Sequence, residues 1–164
     1  TATMVHQVWF SDLTYIRTDE GFMYLCLVMD AFSRKVVGYD ISDSLEADGC
    51  LRALRMALGK LPPGACPFHH SDRGTQYCCR EYVQTLERRG CPISMTEMSH
   101  CYENATAERL NGILKEEYGL NHTFSTKTSA IEAALQAIWL YNERRPHTSL
   151  DNRTPSAVHS DSAA

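Results

Sequence analysis

Long hydrophobic runs are missing from this chain. No stretch of its 164 residues approaches the ~20 consecutive apolar positions that a helix needs to span a bilayer. Residues 1–10 also lack the basic start and apolar stretch of an export signal. A membrane role is therefore not expected, and a reducing cytosol is the expected compartment. An excess of positive charge is missing too. Lys and Arg number 16 against 20 Asp and Glu, giving a formal charge of −4. A domain that grips nucleic acid by bulk charge is basic, so this chain would need a local patch, bound cations or help from further segments. Seven cysteines are present, but no C-x-x-C spacing occurs, which argues against structural zinc. Internal repeats and low-complexity tracts are absent as well.

What is present is one domain's worth of chain, with 43% hydrophobic and 22% charged residues. The expected organisation is a single domain over 1–164, with an ordered core over about 5–143 and a polar tail over 144–164. Residues 5–17, 22–30 and 35–42 read as strands joined by short links, hence an antiparallel meander. Residues 45–61 switch to helical spacing, with Cys50, Leu51, Leu54, Ala57, Leu58 and Leu61 apolar, and Pro62-Pro63-Gly64 stops them. This helix can serve as the crossover to a short strand at 66–71. A helix over 79–89, a strand over 91–95, a loop over 96–103 and a helix over 104–118 follow. Ser129-x-x-Glu132 reads as a capping box opening a helix to about residue 143, with Ile131, Ala134, Leu135, Ile138 and Trp139 apolar.

Three acids stand out against this pattern. Asp12 interrupts the apolar strand Val8–Ile16, where aspartate is disfavoured. Asp72 ends the strand that closes in His69-His70-Ser71, a position where open α/β sheets place their sites. Glu108 lies on a helix near its expected amino end, where the dipole favours a carboxylate. Asn104, Glu108, Asn111, Gly112 and Lys115 share one polar face of that helix. Converging carboxylates hold divalent metal in enzymes that transfer nucleotidyl groups. Each acid also has a plain reading: Asp12 as an edge residue paired with Arg34 or Lys35, Asp72 as the start of a turn, Glu108 as a solvated helix position. His69 and His70 read as residues packed at a strand end. Arg144, Arg145 and Arg153 form a basic tail, solvated or in contact with phosphate.

Four segments resemble a known family when taken together. They are Trp9-x-x-Asp12-Leu13-Thr14-Tyr15, His70-Ser71-Asp72-Arg73-Gly74-x-Gln76-Tyr77, Glu103-Asn104-Ala105-x-Ala107-Glu108-Arg109-x-x-x-x-Leu114-Lys115-x-Glu117, and Tyr141-Asn142-x-x-Arg145-Pro146-His147-x-x-Leu150-x-x-x-Thr154-Pro155. Thirty-five residues separate Asp72 from Glu108. The chain resembles the catalytic core of DDE transposases and retroviral-type integrases, closest to OrfB-type transposases of bacterial insertion sequences (insertion sequence family three). The resemblance implies a ribonuclease-H-like fold: α/β, with a five-stranded mixed sheet of order 3-2-1-4-5 flanked by helices.

It further implies that Asp12, Asp72 and Glu108 form the catalytic triad, holding two Mg²⁺ or Mn²⁺ ions for DNA 3′-end cleavage and strand transfer. Lys115, Asn104, Gly112, Arg73 and Gln76 are the implied DNA contacts. The loop over 96–103 corresponds to a mobile flap. Transposon-end and target DNA are the implied partners, in a homo-oligomer associated with the bacterial nucleoid. The chain departs from the family at Glu103, where many members have aspartate, and at Met98-Ser99-His100, where many carry a glycine. The amino-terminal helix-turn-helix segments of full-length relatives are absent, so a core cut from a longer protein is expected. Two other readings compete. One is a catalytically inactive DNA-binding or assembly module. The other is a different ribonuclease-H-like nuclease.

Overall fold

The structure is a computed structural model that describes residues 2–71, 79–95 and 101–163. Five strands are β1 (Val8–Thr18), β2 (Gly21–Asp30), β3 (Val36–Ser42), β4 (Phe68–Ser71) and β5 (Ile93–Met95). They form one sheet in the order β3-β2-β1-β4-β5. β1, β2 and β3 pair antiparallel, whereas β4 pairs parallel with both β1 and β5. The mixed ribonuclease-H-like sheet implied by the motifs is thus present, in the implied order. Among the described residues no helix is long and apolar enough to cross a membrane.

Helices cover both faces. α1 (Ala47–Gly59) and α2 (Arg80–Arg88) lie on one, and α3 (Cys101–Gly112) and α4 (Lys127–Glu143) on the other. Strand alternation sorts the core accordingly. Trp9, Cys26, Val28 and Val37 pack with α1 and α2, while Phe10, Ile16, Leu25 and Leu27 pack with α3 and α4. All six apolar positions expected on α1 are buried. α1 approaches β3 closely because Gly38 has no side chain: a Cβ there would stand 2.2 Å from the Ala53 carbonyl oxygen.

Several expected boundaries shift. Residues 101–103, expected in the loop, are the first turn of α3. The expected helix over 104–118 is α-helical only to Gly112 and continues as a π-helical turn over Ile113–Glu117. Thr126, not Ser129, caps α4. Its Oγ1 accepts the Ser129 N–H at 3.0 Å, and Ser129 returns a bond to the Thr126 N–H. Leu135 and Trp139, two of the apolar positions noted on this helix, are 43% and 51% exposed, because Ala130, Ala134, Ala137 and Ile138 form the buried stripe.

The segment from Arg144 is not merely a polar tail. It makes a short 3₁₀ turn (Thr148–Leu150) and a final helix, α5 (Pro155–Ala163), with Val158 and Ser156 buried. Asn142, at the end of α4, closes the outer edge of β3 with one side-chain amide against one residue. Its Oδ1 accepts the Val36 N–H at 2.9 Å and its Nδ2 donates to the Val36 carbonyl at 3.0 Å. This satisfies both backbone groups of a buried edge residue, which sheet edges otherwise leave open.

Candidate active site

Asp12 sits midway along β1, opposite Leu27 of β2, on the sheet face covered by α3. Strand alternation puts its neighbour Ser11 on the other face. The half-buried Asp12 carboxylate accepts a hydrogen bond at each of its oxygens. One comes from the Leu13 N–H to Oδ1 at 2.9 Å, the other from the Asn111 amide to Oδ2. The aspartate that looked inconsistent inside a strand is therefore held by donors.

Asn111 lies on α3, three residues beyond Glu108. Residues at that offset share a helix face, so the turn that carries Glu108 is the turn docked on Asp12. Glu108 is exposed and lines a cleft of about 470 Å³ with Gly112, Glu116 and Glu117. Because α3 begins at Cys101, Glu108 stands beyond its first turn, where the helix dipole has largely faded. The dipole expected to favour this carboxylate is therefore not its support. Asn111 was legible as part of the polar face, but its contact with Asp12 was not.

The π turn follows at once. Its wider winding rotates residues after Gly112 away from an ideal α phase. Lys115 lies within it, with Nζ 4.7 Å from the centre of the Tyr15 ring on β1. Tyr15 in turn meets Phe22 edge-on, with centroids 5.5 Å apart. A two-pronged pair fastens the end of the turn. Arg145 Nε and Nη2 donate to the two carboxylate oxygens of Glu117, each at 2.7 Å. That pairing holds the Glu117 carboxyl below its usual range. Arg153 pairs with Asp161, and the Arg144 guanidinium lies over Trp139. The three tail arginines are thus engaged within the chain.

Asp72, Arg73 and Gln76 lie outside the described residues, as do residues 96–100 of the expected flap. Asn104 falls within α3. Among the described residues no group of three metal-ligating side chains converges. The strand leading to Asp72 is β4, which runs parallel beside β1 with Phe10 opposite His70. His70 packs against Phe10 and Phe68. His69 is fully buried on the other face, bonded to Ser11 and Tyr82. Burial, with His70 nearby, pulls its pKa down to about 3. Packing at a strand end was the expectation for both histidines; the polar cluster around His69 had no signal in sequence.

Comparison with known proteins agrees with this architecture. Two family models described as integrase core domain match residues 2–101 and 89–155. The chain is 37% identical over 156 residues to a 31 kDa protein of insertion element IS600 from Shigella sonnei, covering 94% of this chain and 57% of that protein. It is 35% identical over 155 residues to the transposase of insertion sequence element IS904 from Lactococcus lactis, covering 94% and 61%. It thus spans little more than half the length of these relatives. Among solved structures, the HTLV-2 integrase catalytic core in complex with magnesium superposes with a TM-score of 0.75 at 19% identity, over 97% of this chain and 99% of that one. The BIV integrase catalytic core gives 0.73 at 15%, over 96% of each. The chain belongs to the integrase core domain family, where it stands beside transposases of bacterial insertion sequences of the IS3 type.

Proposed function

We propose that this chain is the catalytic core of a DNA transposase that cleaves DNA 3′ ends and joins them to target DNA, with Asp12, Asp72 and Glu108 as its acidic triad. The observation that carries the reading is the Asn111–Asp12 contact, which docks the Glu108-bearing turn of α3 on the strand that carries Asp12. Family membership supplies the reaction class, and β4 leads toward Asp72 directly beside β1.

The donor set suits hard divalent cations. Carboxylate oxygens are the preferred ligands of Mg²⁺ and Mn²⁺, and both Asp12 oxygens are oriented by N–H donors. Asp12, Asp72 and Glu108 would hold two such ions. When bound, these supply activation of the attacking water or 3′-hydroxyl and stabilisation of the departing 3′-oxygen. Asn111 keeps the Asp12 carboxylate in one orientation. Lys115, with Asn104, Gly112, Arg73 and Gln76, contacts the DNA near the scissile phosphate. A lysine there offsets phosphate charge without requiring a basic surface overall, in keeping with a net charge of −4. The HTLV-2 core has been described in dimeric and trimeric forms, and we extend self-association on paired DNA ends to this chain.

Mn²⁺ titration and strand joining test the proposal together. The unaltered chain should bind Mn²⁺, cleave a duplex bearing the element's terminal sequence, and leave an RNA–DNA hybrid intact. Asp12→Asn, Asp72→Asn and Glu108→Gln should each abolish joining. Joining that survives any of these changes, or preferential cleavage of the hybrid, would sink the assignment.

A further inference from the structure

Three polar side chains meet in the core between the sheet and α2. Ser11 Oγ lies 2.7 Å from His69 Nε2, Tyr82 Oη lies 2.8 Å from the same nitrogen, and the two hydroxyls are 3.1 Å apart. All three are buried, at 6%, 0% and 1% exposure. The ring of His69 also meets that of Tyr82 edge-on at 5.4 Å. Buried polar groups cost stability unless fully bonded, and His69 Nδ1 has no hydrogen-bond partner among the described residues. An apolar trio would fill this position among Trp9, Leu54 and Leu86 more cheaply. The cluster therefore invites a reason other than stability.

Its placement supplies one. Ser11 adjoins Asp12 in β1. His69 lies on β4, three residues before Asp72, and Tyr82 lies in the first turn of α2, ten residues after it. Among the described residues, β1 and β4 share ladder bonds over Val8–Phe10 and Phe68–His70, so His69 sits in the ladder beside Ser11 and Asp12. The polar knot adds a side-chain attachment to that ladder, one residue from Asp12. It also ties the chain before Asp72 to the chain after it. Hydrogen bonds fix direction as well as distance, which apolar packing does less strictly.

We infer that Ser11, His69 and Tyr82 are positioning residues that fix β1 against β4 and α2 beside Asp12, and thereby set the affinity of the site for divalent metal. This rests on the proposed triad. None of the three touches DNA or metal; they act through the backbone of β1 and β4. The general precedent is that groups supporting metal ligands change metal affinity when removed.

The test uses Tyr82→Phe and Ser11→Ala, each of which deletes one hydroxyl and keeps the local shape. Mn²⁺ affinity is measured on the protein alone by calorimetry, with thermal midpoints in parallel. Leu58→Ala, a core change on α1 that removes no hydrogen bond, serves as the stability control. Both hydroxyl deletions should weaken Mn²⁺ binding about tenfold, with the metal dependence of joining shifted alike and the rate at saturating metal largely kept. Leu58→Ala should lower the midpoint at least as far and leave Mn²⁺ affinity within twofold. Unchanged Mn²⁺ affinity in both hydroxyl variants overturns the inference, as does an equal loss in Leu58→Ala. Asp12→Asn separates the layers: if it leaves Mn²⁺ binding intact, the triad itself fails; if it abolishes binding while the hydroxyl deletions do nothing, only the knot fails.

Discussion

Replacing Asn142 by leucine removes both side-chain partners of Val36 while keeping a side chain of similar size. Val36 is 2% exposed and Asn142 7%, so water does not readily replace the lost amide. A buried backbone group left without a partner costs about 1–3 kcal/mol. Two groups are involved, one N–H and one C=O, so the expected loss is about 2–6 kcal/mol. For a chain of this size each kcal/mol lowers the thermal midpoint by about 2–4 °C, so calorimetry should record a fall of roughly 5–20 °C. Asn142→Asp probes the same geometry by charge. An ionised carboxylate still accepts from the Val36 N–H but turns its second oxygen on the Val36 carbonyl. Once protonated, it can donate to that carbonyl and restore both bonds. Its pKa is then raised in the folded state, so proton uptake favours folding, and the deficit against the unaltered chain should shrink as pH falls below about 5. A leucine variant that melts within 2 °C of the parent, or an aspartate variant whose deficit ignores pH, would refute the bonding pattern.

Three further outcomes are expected. Gly38→Ala drives a methyl group into the Ala53 carbonyl and the Ala57 side chain, so urea unfolding should show a loss of at least about 1–3 kcal/mol, the usual cost of overpacking. Burial lowers the pKa of His69 to about 3 and those of His147 and His159 to about 4. These rings stay neutral in the folded chain at pH values where the unfolded chain protonates them near 6.5, so the unfolded state binds more protons. Stability should accordingly fall as pH drops from about 7 toward 4, by up to about 1.4 kcal/mol per pH unit for the fully buried His69 and by less for the more exposed His147 and His159, where solvent screens the charge; denaturant midpoints that stay flat between pH 7 and 5 would contradict this. Arg145→Ala leaves Glu117 without its two-pronged partner at the close of the π turn. Hydrogen exchange should then accelerate at residues 113–118 more than in α1.

Strong periodicity made most of the fold legible. The run Phe22–Asp30 and the spacing of Cys50, Leu54 and Leu58 each admitted one secondary structure, and the short links left one meander. Asp12 betrayed itself by violating strand preference, and Glu108 by lying on a polar helix face. What stayed hidden depends on partners far away in sequence. The π turn ends where Arg145 reaches Glu117, 28 residues away. α5 is built from Pro155-Ser156-Ala157-Val158-His159-Ser160-Asp161, a run with little intrinsic helix preference; Ser156 bonded to Glu143 and His159 bonded to Ser33 fix it in place. The knot at His69 was invisible for the same reason: a buried histidine in a strand reads like any other until Ser11 and Tyr82 are placed beside it.

One corner of the molecule joins residues from opposite ends of the chain. The ring of His159 packs edge-on against that of His6 at 4.8 Å and bonds Ser33 at 2.8 Å, while the His6 N–H is held by Asp30 at 2.7 Å. Closing so long a loop carries an entropy cost that local contacts do not. During synthesis the early strands can pair among themselves, but this corner must wait until residue 159 has left the ribosome. Ribosome-stalled chains truncated before α5 should therefore display a meander already formed and a first strand still loose at its start.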